Sequence, residues 1–428
     1  MNGGRRWVPV VLGAVMATSG MLPVTSSPAG AATAGVTIGD NFFQAPTLNI
    51  PTGTTVTWTD TGVHPHTVTA DDGSFDSSPG GTPTLANGQT YSTTFNTPGT
   101  YAYHCQIHGA PGGVGMSGTI VVAASGSQKP VTRVAGGDRI GTAIAASVDS
   151  FPAAGSAGAA VLATAADYPD ALAGTPLAVT KHGPLLVTTP TGIDSRVGTE
   201  LQRVLPAGHT VFVLGGSAAI NPAVDASLQS MGYQVVRYQG SNRYQTAVAV
   251  AHSGLADPAT VLEATGTSAA DALSGGAAAA VSHAAILLTN GSTQADDTAT
   301  YLAAHSVDTR FALGGPAAAA DPAATAIIGT DRYDTSNLVA RRFFSAPPAV
   351  GVASGLGGSF ADGLSGGADS AERGGPLLLV QTTAPLPASV ATYLHDVRAF
   401  VKAAEAFGGT AVVGDDVLAA VGQQISAP

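Results

Sequence analysis

From Gly136 onward the chain carries four motifs three times each, and this repetition limits its fold more than any other feature. The first reads GGDRIGTAIAAS at 136–147, GSNRYQTAVAVA at 240–251 and GTDRYDTSNLVA at 329–340. The second reads DYPDALAGTPLA at 167–178, TSAADALSGGAA at 267–278 and GSFADGLSGGAD at 358–369. The third is a short apolar run at 184–187, 285–288 and 376–379, and the fourth is a glycine pair at 215–216, 314–315 and 408–409. Arg139, Arg243 and Arg332 stand 104 and 89 residues apart, so a unit is about 95 residues long. Within a unit, apolar runs such as 160–163, 185–188 and 211–214 alternate with helical patterns such as 170–181 and 195–205. That order predicts parallel sheets covered by helices. Lys402 and Glu405 interrupt the strand expected before Gly408, which makes the third unit the weakest.

The residues ahead of the repeats follow a different rule. Short runs of period-two alternation, such as Thr54–Thr59, are separated by Gly, Pro, Asn and Asp, a spacing that predicts a β-sandwich or barrel. Between Ala34 and Gln128 there is no Lys, Arg or Glu, only the five aspartates Asp40, Asp60, Asp71, Asp72 and Asp76. A partner for this purely acidic domain would present a basic face. The stretch 123–130, AASGSQKP, reads as a short linker.

Inside that first domain, YAYHCQIHGAPGGVGM at 101–116 holds the single cysteine of the 428-residue chain. His108 follows Cys105 by three residues, and Met116 follows His108 by eight, in a Gly/Pro-rich loop. A thiolate, an imidazole and a thioether gathered in this way suit a soft metal, and trigonal His₂Cys coordination with a weak axial Met is the blue-copper arrangement. A second histidine is supplied by VHPHTV at 63–68. In a strand neighbouring side chains point to opposite faces, so His104 should face away from a metal held by Cys105. Surface or supporting roles are expected for His64 and His104, and the other six histidines are scattered singly. Asn, Gln and backbone groups are expected to fix the ligand imidazoles.

The segments PTLNIPTGTTVTWTDTGVHPHTVTADDGSFDS, TFNTPGTYAYHCQIH and GMSGTIVV resemble the plastocyanin/amicyanin group of cupredoxins, in the same order and over nearly all of the domain. That resemblance implies one type 1 copper held by His66, Cys105, His108 and the axial Met116. The His–Met segment is longer here than in plastocyanin. The repeats resemble the cell-wall-binding repeat type 2 family. This implies three tandem α/β modules about a pseudo-threefold axis, attached non-covalently to an anionic polymer of a Gram-positive wall. Linked weak sites gain avidity of order 10²–10⁴.

The expected architecture is therefore an all-β Greek-key sandwich followed by three Rossmann-like, parallel-sheet α/β repeats. The segments are a signal peptide at 1–31, the cupredoxin domain at 34–124, a linker at 125–130, and repeats at 131–235, 236–326 and 327–428. Arg5 and Arg6 before a short apolar run, with Ala29-Gly30-Ala31 behind it, read as a secretory signal. Its removal leaves 15 basic against 28 acidic residues, a net charge near −13, which argues against nucleic-acid or anionic-membrane binding. The apolar stretch 269–288 contains Asp271 and His283 and is read as a buried small-residue helix, not a membrane span. Arg139, Arg243 and Arg332 are candidates for polymer contact, since guanidinium suits phosphate and carboxylate. More readily, they fit the first helical position behind the N-caps Asp138, Asn242 and Asp331. Asp170, Asp271 and Asp362 follow strands and are read as N-caps more readily than as catalytic acids. No set of catalytic residues accompanies them, so the chain is expected not to be an enzyme. The expected function is single-electron transfer at the cell surface; copper storage and a redox-silent structural role are the alternatives.

Overall fold

The computed structural model describes residues 33–82, 84–123, 129–306, 309–356 and 360–427. The secretory segment expected at 1–31 and residues 125–128 of the expected linker lie outside them. The chain divides into two compact units, residues 1–125 and 126–428.

Among the described residues the first unit has eight strands: β1 (Thr33–Gly39), β2 (Phe42–Phe43), β3 (Thr47–Pro51), β4 (Thr54–Asp60), β5 (Thr69–Ala70), β6 (Thr90–Phe95), β7 (Gly99–Ala110) and β8 (Val114–Ala123). They form two four-stranded sheets, ordered β2-β1-β4-β6 and β3-β8-β7-β5. Along β4 every second residue is buried, from Thr54 through Val56 and Trp58 to Asp60. This alternation puts one face of the strand into the core. Trp58 is fully buried. Its ring centroid lies 5.5 Å from Tyr103 and 5.7 Å from Phe75. This aromatic cluster is the interior on which the far end of β7 rests.

The stretch from Cys105 to Met116, read as a loop, is instead part of a hairpin. β7 and β8 pair from Gly99↔Val122 to His104↔Ser117, break at a bulge, and resume at Gly109↔Gly115 and Ala110↔Val114. Gly109 makes the resumption possible, because a Cβ there would stand 2.6 Å from the Met116 carbonyl oxygen.

The second unit opens with β9 (Val131–Val134). β10 (Ala159–Thr164), β11 (Leu185–Thr188), β12 (Thr210–Leu214) and β13 (Gln234–Tyr238) form a parallel sheet in the order β11-β10-β12-β13. β14 (Thr260–Thr265), β15 (Ala285–Thr289), β16 (Thr309–Leu313) and β17 (Thr325–Ile327) repeat it as β15-β14-β16-β17. β18 (Ala349–Ser354), β19 (Leu377–Val380) and β20 (Ala403–Phe407) give only three strands of the third sheet. Its fourth is β9, paired with β20 from Val131↔Ala404 to Val134↔Phe407. The chain therefore closes on itself, with the first strand of the unit completing the last sheet. Glu405 does not break β20; it is buried there, facing Arg373 at 3.7 Å.

Three equivalent helices, Gly174–Thr180, Ala270–Val281 and Phe360–Glu372, pack against one another at the centre. Their Gly/Ala content allows this: a Cβ on Gly276 would lie 3.0 Å from Thr175 Cβ, and one on Gly363 would lie 3.1 Å from Leu273 Cδ1. Among the described residues no helix is long and apolar enough to cross a membrane. The stretch 269–288 is the helix Ala270–Val281 followed by β15.

Asp170, Asp271 and Asp362 are not N-caps. Asp170 lies in the short 3₁₀ turn Pro169–Ala171, and the other two lie inside the first turns of their helices. Each packs against the first glycine of the repeated pair, at Gly215, Gly314 and Gly408, all with positive φ. Gly314 has φ +79°, and a Cβ there would stand 2.2 Å from Asp271 Oδ2. Gly314→Val should therefore cost about 3 kcal/mol of stability, while Gly315→Ala, which meets open space, should cost little. Urea denaturation of the two variants checks this. Equal midpoints would show that the close approach is not what keeps glycine at position 314.

Candidate metal centre

The three candidate ligands with imidazole or thiol groups come from two parts of the sandwich. Cys105 and His108 lie within the bulge of β7, between His104 and Gly109. His66 sits beyond the end of β4 and is fixed by reciprocal backbone hydrogen bonds with Leu85, at 2.9 and 2.8 Å. Met116 lies on β8 opposite the bulge and is buried. Cys105 and His66 are fully buried, whereas His108 is half-buried.

Cys105 Sγ stands 3.5 Å from His108 Nδ1 and receives the Thr67 backbone N–H at 3.4 Å. The rings of His66 and His108 lie 5.0 Å apart between centroids. Two imidazoles sharing one ion through bonds of about 2 Å keep their centroids within roughly 6.5 Å, so this pair fits. Burial, then the neighbouring His66 and His64, push the His108 pKa down, while Asp40 opposes the shift. The lowered value favours the neutral ring that a metal requires.

Among the described residues, no three His, Cys, Asp or Glu side chains form a group that could hold a metal ion as they stand. The donors are a close pair, Cys105 and His108, with His66 beside it. Both ring nitrogens of His66 have partners: its Nδ1 lies 2.9 Å from Asp60 Oδ2, and the Asn41 N–H reaches its Nε2 at 3.5 Å. The chemistry of the set fits copper all the same, with a buried thiol, two imidazoles and a buried thioether around one end of the sandwich.

The expected backbone partner of His66 is present in the Asn41 N–H, but the nearer orienting group is a carboxylate, Asp60. Its signal was present in the sequence, since Asp60 continues the inward phase of Val56 and Trp58. A carboxylate on one imidazole nitrogen sets the tautomer and raises the basicity of the other. Asp60→Ala should therefore weaken copper binding by about 10–100-fold. Competition against a copper-binding dye checks this, and an unchanged affinity would assign Asp60 to folding alone.

His64 and His104 take different parts. His64 is exposed, 3.4 Å from Asp40, with its ring 6.2 Å from that of His108. His104 is buried rather than superficial, and its Nδ1 lies 2.7 Å from Asp71 Oδ1. Asp71 also accepts the Gly112 N–H at 2.7 Å, which ties His104 to the hairpin turn.

The repeated arginines behave as helix-start residues with an additional contact. Asp138, Asn242 and Asp331 cap their helices, accepting the N–H of Gly141, Gln245 and Asp334. Arg139 Nη1 donates to the Ala165 carbonyl at 2.7 Å, Arg243 to Gly266 at 2.5 Å and Arg332 to Gly355 at 2.5 Å. Each also lies near the half-buried aspartate of the preceding repeat in the closed ring: Arg243 near Asp170, Arg332 near Asp271 and Arg139 near Asp362. Burial raises the pKa of all three carboxyls, that of Asp271 to about 6, and the arginines oppose the rise.

Residues 133–225, 237–323 and 326–418 each match the family described as Cell wall binding domain 2 (CWB2), and together they exceed half of the chain. The chain belongs to the CWB2 family. Residues 31–123 match the copper binding proteins of the plastocyanin/azurin family. The cupredoxin domain is 40% identical over 100 residues to amicyanin-alpha of Methylorubrum extorquens, covering 22% of this chain and 78% of that protein. It is 36% identical over 131 residues to plastocyanin of Prochlorothrix hollandica, covering 28% and 93%. The CWB2 repeats are 28% identical over 256 residues to the N-acetylmuramoyl-L-alanine amidase LytC of Bacillus subtilis, covering 58% of this chain and half of the amidase. In fold the chain is similar to Cwp6 of Clostridium difficile, with a TM-score of 0.63 at 17% identity over 85% of this chain and 64% of that one. Cwp8 of the same organism gives 0.62 at 20% identity over 76% and 59%.

Proposed function

We propose that this CWB2-family protein is a secreted type 1 copper protein that carries single electrons at the cell surface, and that it is not an enzyme. The observation that carries the reading is the convergence of Cys105, His108 and His66, with Met116, at one end of a rigid sandwich. Copper bound there would cycle between two oxidation states. Cys105 and His108 hold their positions through the β7 bulge, His66 through Leu85 and Asp60, and Met116 through its pairing strand. Because these supports are backbone ladders and buried hydrogen bonds, the ligands need move little between states. The core around Cys105 excludes water from the sulfur. His108, half-buried, is the ligand nearest solvent and the natural exit for an electron.

The CWB2 repeats would keep the carrier at the wall by binding an anionic wall polymer, and the acidic cupredoxin domain would meet a redox partner with a basic face. Absorption and EPR spectra of the protein after Cu(II) addition test the centre. An intense blue band with a narrow copper hyperfine splitting is expected. A pale, tetragonal spectrum would remove Cys105 from the ligand set and the electron-transfer reading with it.

A further inference from the structure

Of the four donors at the metal centre, Cys105, His66 and Met116 are buried, and His108 alone is half-exposed. An ion arriving from solvent therefore meets His108 first. Beside it stands a second, more accessible imidazole. The His64 side chain is 58% exposed, and its ring centroid lies 6.2 Å from that of His108. His108 Nδ1 lies 3.5 Å from Cys105 Sγ and so faces the inner donors, while His64 Nδ1 lies 3.4 Å from Asp40 Oδ1. The Nε2 atoms of both rings have no hydrogen-bond partner among the described residues. The loop that carries His64 is held in place. Asp40 Oδ1 accepts the N–H of Val63 at 2.8 Å and of His64 at 3.1 Å, and Asn87 Nδ2 donates to the carbonyls of Thr61 and Gly62, both at 3.0 Å. Pro65 then restricts the backbone between His64 and His66. An exposed pair such as His64 and Asp40 adds little to stability, so folding gives no reason for an imidazole at position 64.

We infer that His64 and His108 form a capture site through which Cu(I) enters the protein. The inference rests on the copper reading and adds the route by which the centre is filled. Two imidazoles bound to one ion by bonds of about 2 Å reach a centroid separation of roughly 6.5 Å when nitrogen, metal and nitrogen are in line. The 6.2 Å between His64 and His108 is close to that limit, whereas the 5.0 Å between His66 and His108 requires a bent arrangement. A near-linear pair of nitrogen donors suits Cu(I), which accepts two ligands, better than a divalent ion, which takes four or more. The Asp40 carboxylate beside the pair favours a cation, and no Lys, Arg or Glu lies between Ala34 and Gln128 to repel one or compete for it. Copper held there meets the inner donors within one molecule, at an effective concentration of order millimolar. In the exchange the bond to His64 breaks and a bond to Cys105 forms; the thiol proton passes to solvent, and no electron is transferred.

The test loads the full mature chain, free of metal, with Cu(I) from its bicinchoninate complex under anaerobic conditions. The loss of that complex's colour is timed in the range where the rate rises with protein concentration. His64→Leu keeps the bulk of the side chain and removes the donor, and it should load about tenfold or more slowly. His64→Met, of similar bulk with a soft donor restored, should recover most of the rate. After loading and oxidation all three proteins should share one absorption spectrum and one reduction potential, because His64 is not a ligand of the filled centre. Equal loading rates for the three proteins overturn the capture site and leave the copper centre standing. Slow loading by both variants overturns it too, since the donor atom at position 64 then does not matter. A changed spectrum or potential would place His64 in the filled centre instead of on the way to it. If the unmodified chain takes up no copper, the copper reading fails and the capture site fails with it.

Discussion

Cys105→Ser should abolish the blue absorption of the copper-loaded protein and leave its retention on cell walls unchanged. The intense band requires a thiolate bonded to copper, and a serine hydroxyl is a harder, far less basic donor that does not supply it. The substitution is close to isosteric at a fully buried position, and the Thr67 N–H that now reaches Sγ at 3.4 Å would find an acceptor oxygen. The cost to folding should be about 1 kcal/mol, as for other near-isosteric changes that keep a hydrogen bond. Wall retention should be insensitive because the repeats form a separate compact unit with their own core clusters. The measurements are the absorption spectrum, EPR and the fraction pelleted with walls. A blue band that survives would mean that another group supplies the chromophore. Loss of wall retention would mean that the two units depend on each other. Tight Cu(I) binding by the unmodified protein with sluggish redox exchange would favour copper storage over electron transfer.

Most of the fold was legible because each unit announces itself by a period. Alternation in residues 54–59 and the four recurring motifs led directly to a sandwich and three parallel sheets. Pairings over long sequence distances were not legible. Nothing local in VTRV at 131–134 says that it completes a sheet with residues 403–407, because a short edge strand reads the same wherever its partner lies. Glu405 misled for a related reason: a carboxylate argues against a core strand unless the arginine that will face it is known, and Arg373 comes from the turn after the helix Phe360–Glu372, 32 residues earlier. At the metal centre, the order and type of donors could be read from the motif, and the supporting groups could not. Asp60 was recoverable from the phase of β4, but the Asp71–His104 pair joins residues 33 apart through tertiary packing alone. The aspartates read as N-caps illustrate the same limit. Asp271 looks like a cap in sequence, yet its place inside the helix is set by contact with Gly314, across the sheet.

The second unit should lose stability as pH rises from 5 to 8, and Glu263→Gln should restore much of the loss. Glu263 is fully buried on β14; its Oε2 accepts Gln294 Nε2 at 2.6 Å, and its Oε1 has no hydrogen-bond partner. Burial pushes its pKa up to about 8; Asp321 adds to the rise, and Gln294 and Arg310 oppose it. Asp369 and Glu405 are likewise raised, each to about 7, with burial the first cause. An acid whose folded pKa lies above its unfolded value binds more protons when folded, so its contribution is complete below the unfolded pKa and is lost as pH rises through the folded one. For Glu263 that window runs from about 4.5 to about 8. Ionising it inside the sheet should cost on the order of 3 kcal/mol. An amide at 263 can accept from Gln294 and donate toward Asp321 without carrying charge. The variant should therefore match the unmodified chain at pH 5 and melt about 5 °C or more above it at pH 8. Melting curves across that range decide the matter. Parallel curves for the two proteins would mean that Glu263 is already ionised in the folded state, held by Arg310, and that the pH dependence arises at Asp369 and Glu405.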